Sequence, residues 1–123
     1  MKKILLVEDD PFIMDIYSIQ FKKEGYQLDV ANDCQMALEK MKTSYPDLVI
    51  LDIDFGPEKM NGWELLKIIR DDPRLKNLNV IILSNQNKEQ SRDKIVELGV
   101  RKFFLKVETS IDEITDYVKQ ILK

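Results

Sequence analysis

The stretch Ile4-Leu5-Leu6-Val7-Glu8-Asp9 sets four apolar residues directly against two carboxylates, and the juxtaposition recurs along the chain. Leu48-Val49-Ile50-Leu51 runs into Asp52, Val80-Ile81-Ile82-Leu83 into Ser84, and Phe103-Phe104-Leu105 into Lys106. Short runs rich in β-branched residues, with helical patterns between them, predict strands buried on both faces of a parallel sheet. The strands of such a sheet all point the same way. Residues just past their C-terminal ends therefore meet at one edge, where open α/β sheets bind their ligands. Here that edge is expected to gather the carboxylates of Glu8, Asp9 and Asp52, the Ser84 hydroxyl and the Lys106 ammonium.

The segments between the runs carry helix signals. Asp10-Pro11 reads as an N-cap with proline at the first helical position, followed by an apolar face of Phe12, Ile13, Ile16 and Ile19 and an end near Gly25. Tyr26, Leu28 and Val30 alternate with polar residues, which predicts a second strand at the sheet edge. Asp33 can cap a helix carrying Ala37, Leu38 and Met41, stopped by Tyr45-Pro46. Asn61 with Glu64, Asn87 with Gln90, and Ser110 with Glu113 have capping-box spacing. They predict three further helices. The first runs through Leu65, Leu66 and Ile69 to Asp71-Asp72-Pro73, the second ends at Gly99, and the third presents Ile111, Ile114, Val118 and Ile121. Strict alternation of five strands and five helices calls for right-handed crossovers and a doubly wound, three-layer α/β sandwich. The natural strand order is 2-1-3-4-5, the flavodoxin-like arrangement. At 123 residues the chain has the size of one domain, expected to span residues 1–123.

Composition narrows the chemistry. With 44% apolar and 33% charged residues the chain is ordinary for a soluble globular protein, and no run reaches the ~18 apolar residues of a membrane span. Met1-Lys2-Lys3 precedes too short an apolar run for a secretory signal, which suggests a cytoplasmic protein. Cys34 is the only cysteine and there is no histidine, so an internal disulfide, the usual zinc and copper ligand sets and a histidine general base are all excluded. A net charge of −3 without a basic stripe gives no footprint for nucleic acid.

In the expected strand order the first and third strands are neighbours, which brings Glu8, Asp9 and Asp52 together. Two like charges ~4 Å apart at an effective dielectric of ~20 repel by about 4 kcal/mol, so the cluster calls for a cation or a proton. All-oxygen ligation with room for water and phosphate fits Mg²⁺, and Mn²⁺ is expected to substitute. A carboxylate nucleophile, a metal, an ammonium and a hydroxyl, with no base to activate water, suit phosphoryl transfer to Asp52, giving an aspartyl phosphate. Taken singly, the same residues have plainer readings. Glu8, Asp9 and Asp10 suit a helix start, Ser84 suits a turn, and Phe103 suits a core. Only their joint placement past four strand ends argues for a site.

In this order the residues resemble the receiver domain of two-component response regulators, of the chemotaxis-regulator type, over Ile4 to Ile121. The segments ILLVEDDP, DLVILDI, NGWELL, VIILS and ELGVRKFFLK carry the likeness. The resemblance implies Asp9 as a direct Mg²⁺ ligand with Glu8 assisting through water, Asp52 as phosphoacceptor and metal ligand, and Asp54 giving its backbone carbonyl to the metal. Ser84 is similar to the switch Ser/Thr, Lys106 to the invariant lysine, and Phe103 to the switch aromatic. It further implies a phosphoacceptor rather than a turnover enzyme, served by a histidine kinase or histidine phosphotransfer protein. The face of the fourth helix, fifth strand and fifth helix would signal to a downstream protein, to an output domain, or to a second copy in a phosphorylation-dependent dimer.

Several positions depart from the family pattern. The loop Asp54-Phe55-Gly56-Pro57-Glu58-Lys59-Met60 is longer than usual, on the side where the phosphodonor approaches. Val107 stands where the family has a cis proline, and Asn85 where a small residue leaves room for the phosphoryl group. Asp54 and Gln86 occupy positions that tune phosphate lifetime in the family. Two other functions compete. A pseudo-receiver would bind partners constitutively without phosphorylation, a reading that Asn85 and Val107 keep open. A haloacid dehalogenase-like phosphatase would use Asp52-Ile53-Asp54 as its aspartate pair, but leaves Glu8 and Asp9 without a role and has no room for a cap domain.

Overall fold

A computed structural model describes residues 1–122. Five parallel strands, β1 (Lys3–Val7), β2 (Gln27–Ala31), β3 (Leu48–Leu51), β4 (Val80–Ser84) and β5 (Lys102–Leu105), form one sheet in the order β2-β1-β3-β4-β5. The helices are α1 (Pro11–Lys23), α2 (Cys34–Thr43), α3 (Gly62–Asp71), α4 (Arg92–Glu97) and α5 (Ile111–Ile121), and a 3₁₀ turn covers Lys106–Glu108. This is the flavodoxin-like topology expected from the sequence.

The period of two along each strand divides the core into two layers. Leu5, Val7, Val49, Leu51, Val80, Ile82 and Phe103 face Ala37 and Met41 of α2 and Leu65, Leu66 and Ile69 of α3. Ile4, Leu6, Leu48, Ile50, Ile81, Leu83 and Phe104 face Tyr17 and Phe21 of α1 and Ile114 and Val118 of α5. Both faces of the central strands are dry, which is why they read as unbroken apolar runs rather than alternating ones. Edge strand β2 alternates instead, with Gln27 and Asp29 exposed.

Two local expectations are corrected. The apolar face expected of α1 is not its buried face: Phe12 is 74% and Ile19 70% exposed, Ile16 is also exposed, and Tyr17 and Phe21 are buried with Ile13 packed beside them. The helix has apolar residues on two sides, and the side carrying the larger aromatic area wins, with Phe21 edge-on to Tyr26. The Asn87–Gln90 pair does not open α4. Asn87 Oδ1 accepts the Gln90 N–H at 3.1 Å and the Asn87 carbonyl accepts the Ser91 hydroxyl at 3.0 Å, so the signature closes a turn and the helix proper begins at Arg92. The boxes at Asn61–Glu64 and Ser110–Glu113 are complete in both directions.

Candidate functional site

The parallel ladder continues one step beyond the strand ends and fixes the site's backbone. Val7 pairs with Leu51, the Asp52 N–H donates to the Val7 carbonyl at 3.0 Å, and the Glu8 N–H donates to the Ala31 carbonyl at 3.0 Å. Glu8 and Asp52 are thereby side by side at the C-terminal edge. Carboxylate oxygens of Glu8, Asp9 and Asp52 lie within 4.8 Å of one another, with Glu8 and Asp52 buried and Asp9 exposed. Ser84 ends β4 in register with Leu105, so the chain presents Lys106 next, and its long stem crosses β4 to the acids.

Lys106 Nζ lies 2.9 Å from Asp52 Oδ2, donates to Glu8 Oε1 at 3.1 Å and stands 2.9 Å from Glu8 Oε2. The other Asp52 oxygen, Oδ1, accepts the Ile53 N–H at 2.7 Å. Burial raises the Glu8 pKa, the hydrogen bond from Lys106 opposes the rise, and the Asp52 charge adds to it. Burial pulls Lys106 down, yet its hydrogen bonds and charge pairing with Glu8 and Asp52 outweigh that and hold the ammonium above its ordinary value. One ammonium thus balances a cluster of three carboxylates. Glu8 Oε2 is buried and faces the Lys106 ammonium at 2.9 Å, outside hydrogen-bonding geometry. Three carboxylates against one ammonium leave charge for a further cation to balance, and hard oxygen donors with an exposed Asp9 fit Mg²⁺.

The helix after β3 fits tightly. The Gly62 N–H donates to the Ile53 carbonyl at 2.8 Å, and a Cβ on Gly62 would stand 2.5 Å from the Asp52 carbonyl oxygen. Glycine is required there for close approach of α3 to the backbone carrying Asp52. The longer loop before it is anchored at one end by Phe55, which is buried in the layer under α2 and α3, while Gly56 through Lys59 are exposed.

The remaining expected residues fall around the mouth. Ser84 is buried, and its Oγ accepts the Gln86 N–H at 3.0 Å. Asp54 is exposed, two residues past Asp52, and its Oδ1 accepts the Gln86 Nε2 at 3.2 Å. Phe103 is buried and stacked on Trp63, with ring centroids 6.5 Å apart and planes 17° from parallel. The two departures at Asn85 and Val107 meet: Val107 is in trans linkage and its N–H donates to Asn85 Oδ1 at 3.0 Å. Trp63 is not among the residues expected at the site. It shares the buried face of α3 with Leu66 and Ile69, and its one signal in the sequence is an indole N–H on that apolar face.

The sequence pattern of the response regulator receiver domain family matches residues 4–119. The chain belongs to that family. Among curated receiver proteins it is 36% identical over 121 residues to the sporulation initiation phosphotransferase F of Bacillus subtilis, covering 98% of this chain and 94% of that one. It is 33% identical over 124 residues to the alkaline phosphatase synthesis transcriptional regulatory protein PhoP of the same organism, covering 99% of this chain and 49% of that one. The chain spans about half the length of PhoP and of the heme response regulator HssR of Staphylococcus saprophyticus. Among solved receivers, the response regulator protein TrrA of Thermotoga maritima, in complex with Mg²⁺-BeF, superposes with a TM-score of 0.80 at 30% identity, covering 98% of this chain and 99% of that one.

Proposed function

We propose that this receiver accepts a phosphoryl group on Asp52 in a Mg²⁺-dependent reaction, from a histidine kinase or a histidine phosphotransfer protein. The observation that supports this most is the placement of Lys106 between Glu8 and Asp52, which holds a carboxylate nucleophile at the mouth of an acidic group. An oxygen of Asp52 bonds to phosphorus as the bond from phosphorus to the donor's leaving group breaks. That group departs with its electron pair and takes a proton from solvent. The chain has no histidine, so a phosphohistidine donor has to come from a partner.

Lys106 supplies positive charge to the transferring oxygens, and the Ser84 hydroxyl, whose proton no acceptor takes among the described residues, is free to donate to one of them. Glu8, Asp9, Asp52 and the Asp54 carbonyl would hold Mg²⁺ or Mn²⁺, which when bound supplies charge neutralisation during transfer. In this reading the chain is a phosphoacceptor rather than a turnover enzyme. α1 begins directly after Asp9 and Asp10, and along it Phe12, Ile16 and Ile19 form an exposed apolar stripe. That stripe supports docking of a partner with an apolar face of its own.

Once phosphorylated, the protein would signal through the α4–β5–α5 face, towards a downstream protein, an output domain or a second copy. Residues 1–123 act as one receiver domain in this reading, and the place of action is the cytoplasm. Among the described residues no helix is long and apolar enough to cross a membrane. The test is intact mass after incubation with Mg²⁺ and a small acyl phosphate. One added phosphoryl group that is lost in Asp52→Asn and without Mg²⁺ is the expected result. No adduct on a folded, Mg²⁺-binding protein would overturn it in favour of a constitutive binding module.

A further inference from the structure

The sheet ends at β2 on one side, and the backbone there has an outward-facing row of polar groups. The Gln27 N–H donates to the Lys2 carbonyl at 2.9 Å and the Ala31 carbonyl accepts the Glu8 N–H at 3.0 Å, so Gln27 and Ala31 turn their bonding groups towards β1. Bonding direction alternates along a strand, so Asp29 also faces β1, while Leu28 and Val30 turn their N–H and C=O groups outward. Such an edge is a template for a further strand. One of its donors is already taken. Asp29 Oδ1 accepts the Val30 N–H at 2.9 Å, and the same oxygen accepts Lys40 Nζ at 2.7 Å from the last turn of α2. Asp29 is also the one charged residue in Gln27-Leu28-Asp29-Val30-Ala31. As an exposed surface ion pair, Asp29 and Lys40 add little to stability. Their place on an outward backbone donor gives them a different use.

We propose that Asp29 and Lys40 form a latch that closes the edge of β2 against strand addition by a second copy of this chain. A second copy is the occupant because the edge is complementary to itself. In an antiparallel pair about a two-fold axis at Asp29, Leu28 and Val30 of one copy meet Val30 and Leu28 of the other as hydrogen-bonded pairs. The Val30 N–H is needed for that ladder, and the Asp29 carboxylate holds it. In the same register Asp29 lies opposite its own counterpart at the non-hydrogen-bonded position, where side chains are closest and like charges destabilise the pair. The carboxylate therefore opposes pairing twice, by occupying a donor and by its charge. Lys40 bonds the same oxygen that takes the Val30 N–H, and so anchors it there. The latch is remote from the phosphoacceptor chemistry and does not depend on it.

The test compares wild type, Asp29→Thr and Lys40→Met, all unphosphorylated, by sedimentation from about 10 µM to about 1 mM and by hydrogen exchange at the Val30 amide. Threonine suits an exposed strand and removes both the carboxylate acceptor and the charge. In dilute solution the Val30 amide of Asp29→Thr should exchange about two- to tenfold faster than in wild type, the factor one net hydrogen bond supports. At about 1 mM the same amide should slow again as the mass rises towards that of a dimer, a reversal that mere loosening of the fold would not produce. Wild type should stay monomeric throughout, with Val30 exchange independent of concentration. Lys40→Met keeps the carboxylate and loses its anchor, so it should stay monomeric and raise Val30 exchange by less than Asp29→Thr does. That variant lies on α2 and keeps the test open if Asp29→Thr folds poorly. An Asp29→Thr protein that is monomeric at about 1 mM, or whose dimer leaves Val30 exchange as fast as in dilute solution, would overturn the latch. Val30 exchange in Lys40→Met equal to that of wild type would overturn it too.

Discussion

Replacing Lys106 by methionine keeps the length of the stem and removes the one ammonium that faces Glu8 and Asp52. With the carboxylate oxygens within 4.8 Å of each other, the exposed repulsion between two buried charges is about 3.5 kcal/mol at an effective dielectric of ~20. That agrees with the ~3–5 kcal/mol typical of breaking a buried ion pair from one side. A loss of this size is a large part of a domain's total of ~5–15 kcal/mol. It should shift the urea midpoint by about 1.5 M.

The sign of the pH dependence follows from Glu8. Its pKa is already raised by burial above the ordinary 4.5, and loss of Lys106 removes the hydrogen bond and charge that most oppose the rise, leaving the Asp10 N–H. A carboxyl whose folded pKa exceeds its unfolded one favours the folded state below the unfolded value, and that advantage is lost as pH rises through the folded value. The deficit of Lys106→Met is therefore small near pH 4.5 and full by neutral pH. Urea unfolding of both proteins from pH 5 to 8, with and without MgCl₂, is the assay. Saturating Mg²⁺ should recover much of the loss, since a cation replaces the missing charge. A deficit under about 1 kcal/mol at pH 7, or one independent of pH, would refute the claim that Lys106 balances a charged cluster.

Gly62→Ala forces a Cβ to within 2.5 Å of the Asp52 carbonyl and 2.9 Å of Ile53 Cα, so α3 must shift; thermal unfolding should show a loss of about 2 kcal/mol or more, and phosphorylation should slow. Arg70 donates from Nε to the Leu98 carbonyl, from Nη1 to those of Lys76 and Leu78, and from Nη2 to that of Gly99; Arg70→Ala should lower stability by about 2–3 kcal/mol in urea, and Arg70→Lys should restore only part. Burial pushes the Cys34 thiol up to about 12, with Asp33, Asp52 and Glu64 adding to the rise, so at pH 8 an aromatic disulfide reagent should react only after urea is added. Rapid reaction of the native protein would place Cys34 at the surface.

The sheet was legible because a parallel strand buried on both faces leaves little freedom in its sequence. The runs ending at Val7, Leu51, Leu83 and Leu105 contain no polar residue, and each polar residue that follows one lies at the edge where the reading put it. Helix faces were less legible. In α1 the apolar residues Phe12, Ile16 and Ile19 fit a helical period as well as Ile13, Tyr17 and Phe21 do, and only the sheet beneath decides between them. A capping box is equally local: Asn87 captures the Gln90 N–H as the signature predicts, yet the Ser91 hydroxyl turns back on the Asn87 carbonyl and the helix starts later. Among site residues, those on strand ends were fixed by topology. The contacts of Gln86 and Trp63 were not, because they join residues 23 positions apart through side chains rather than backbone.

The two substitutions that spoke against a working site change meaning once they are seen together. A valine at position 107 has a backbone N–H that proline lacks, a donor that can bond a neighbouring side chain. Asn85 supplies the acceptor, Oδ1 at 3.0 Å, from a position where a small side chain could not reach. Considered alone, Val107 loosens the loop after β5 and Asn85 crowds the mouth; as a pair, each accounts for the other. The bond ties the loop after β4 to the 3₁₀ turn that begins at Lys106, and so restrains the lysine's backbone without a prolyl ring. Reading residues one at a time treats such a pair as two defects, whereas the hydrogen bond makes it one substitution of means. The bond lies directly after Lys106, whose ammonium faces Glu8 and Asp52.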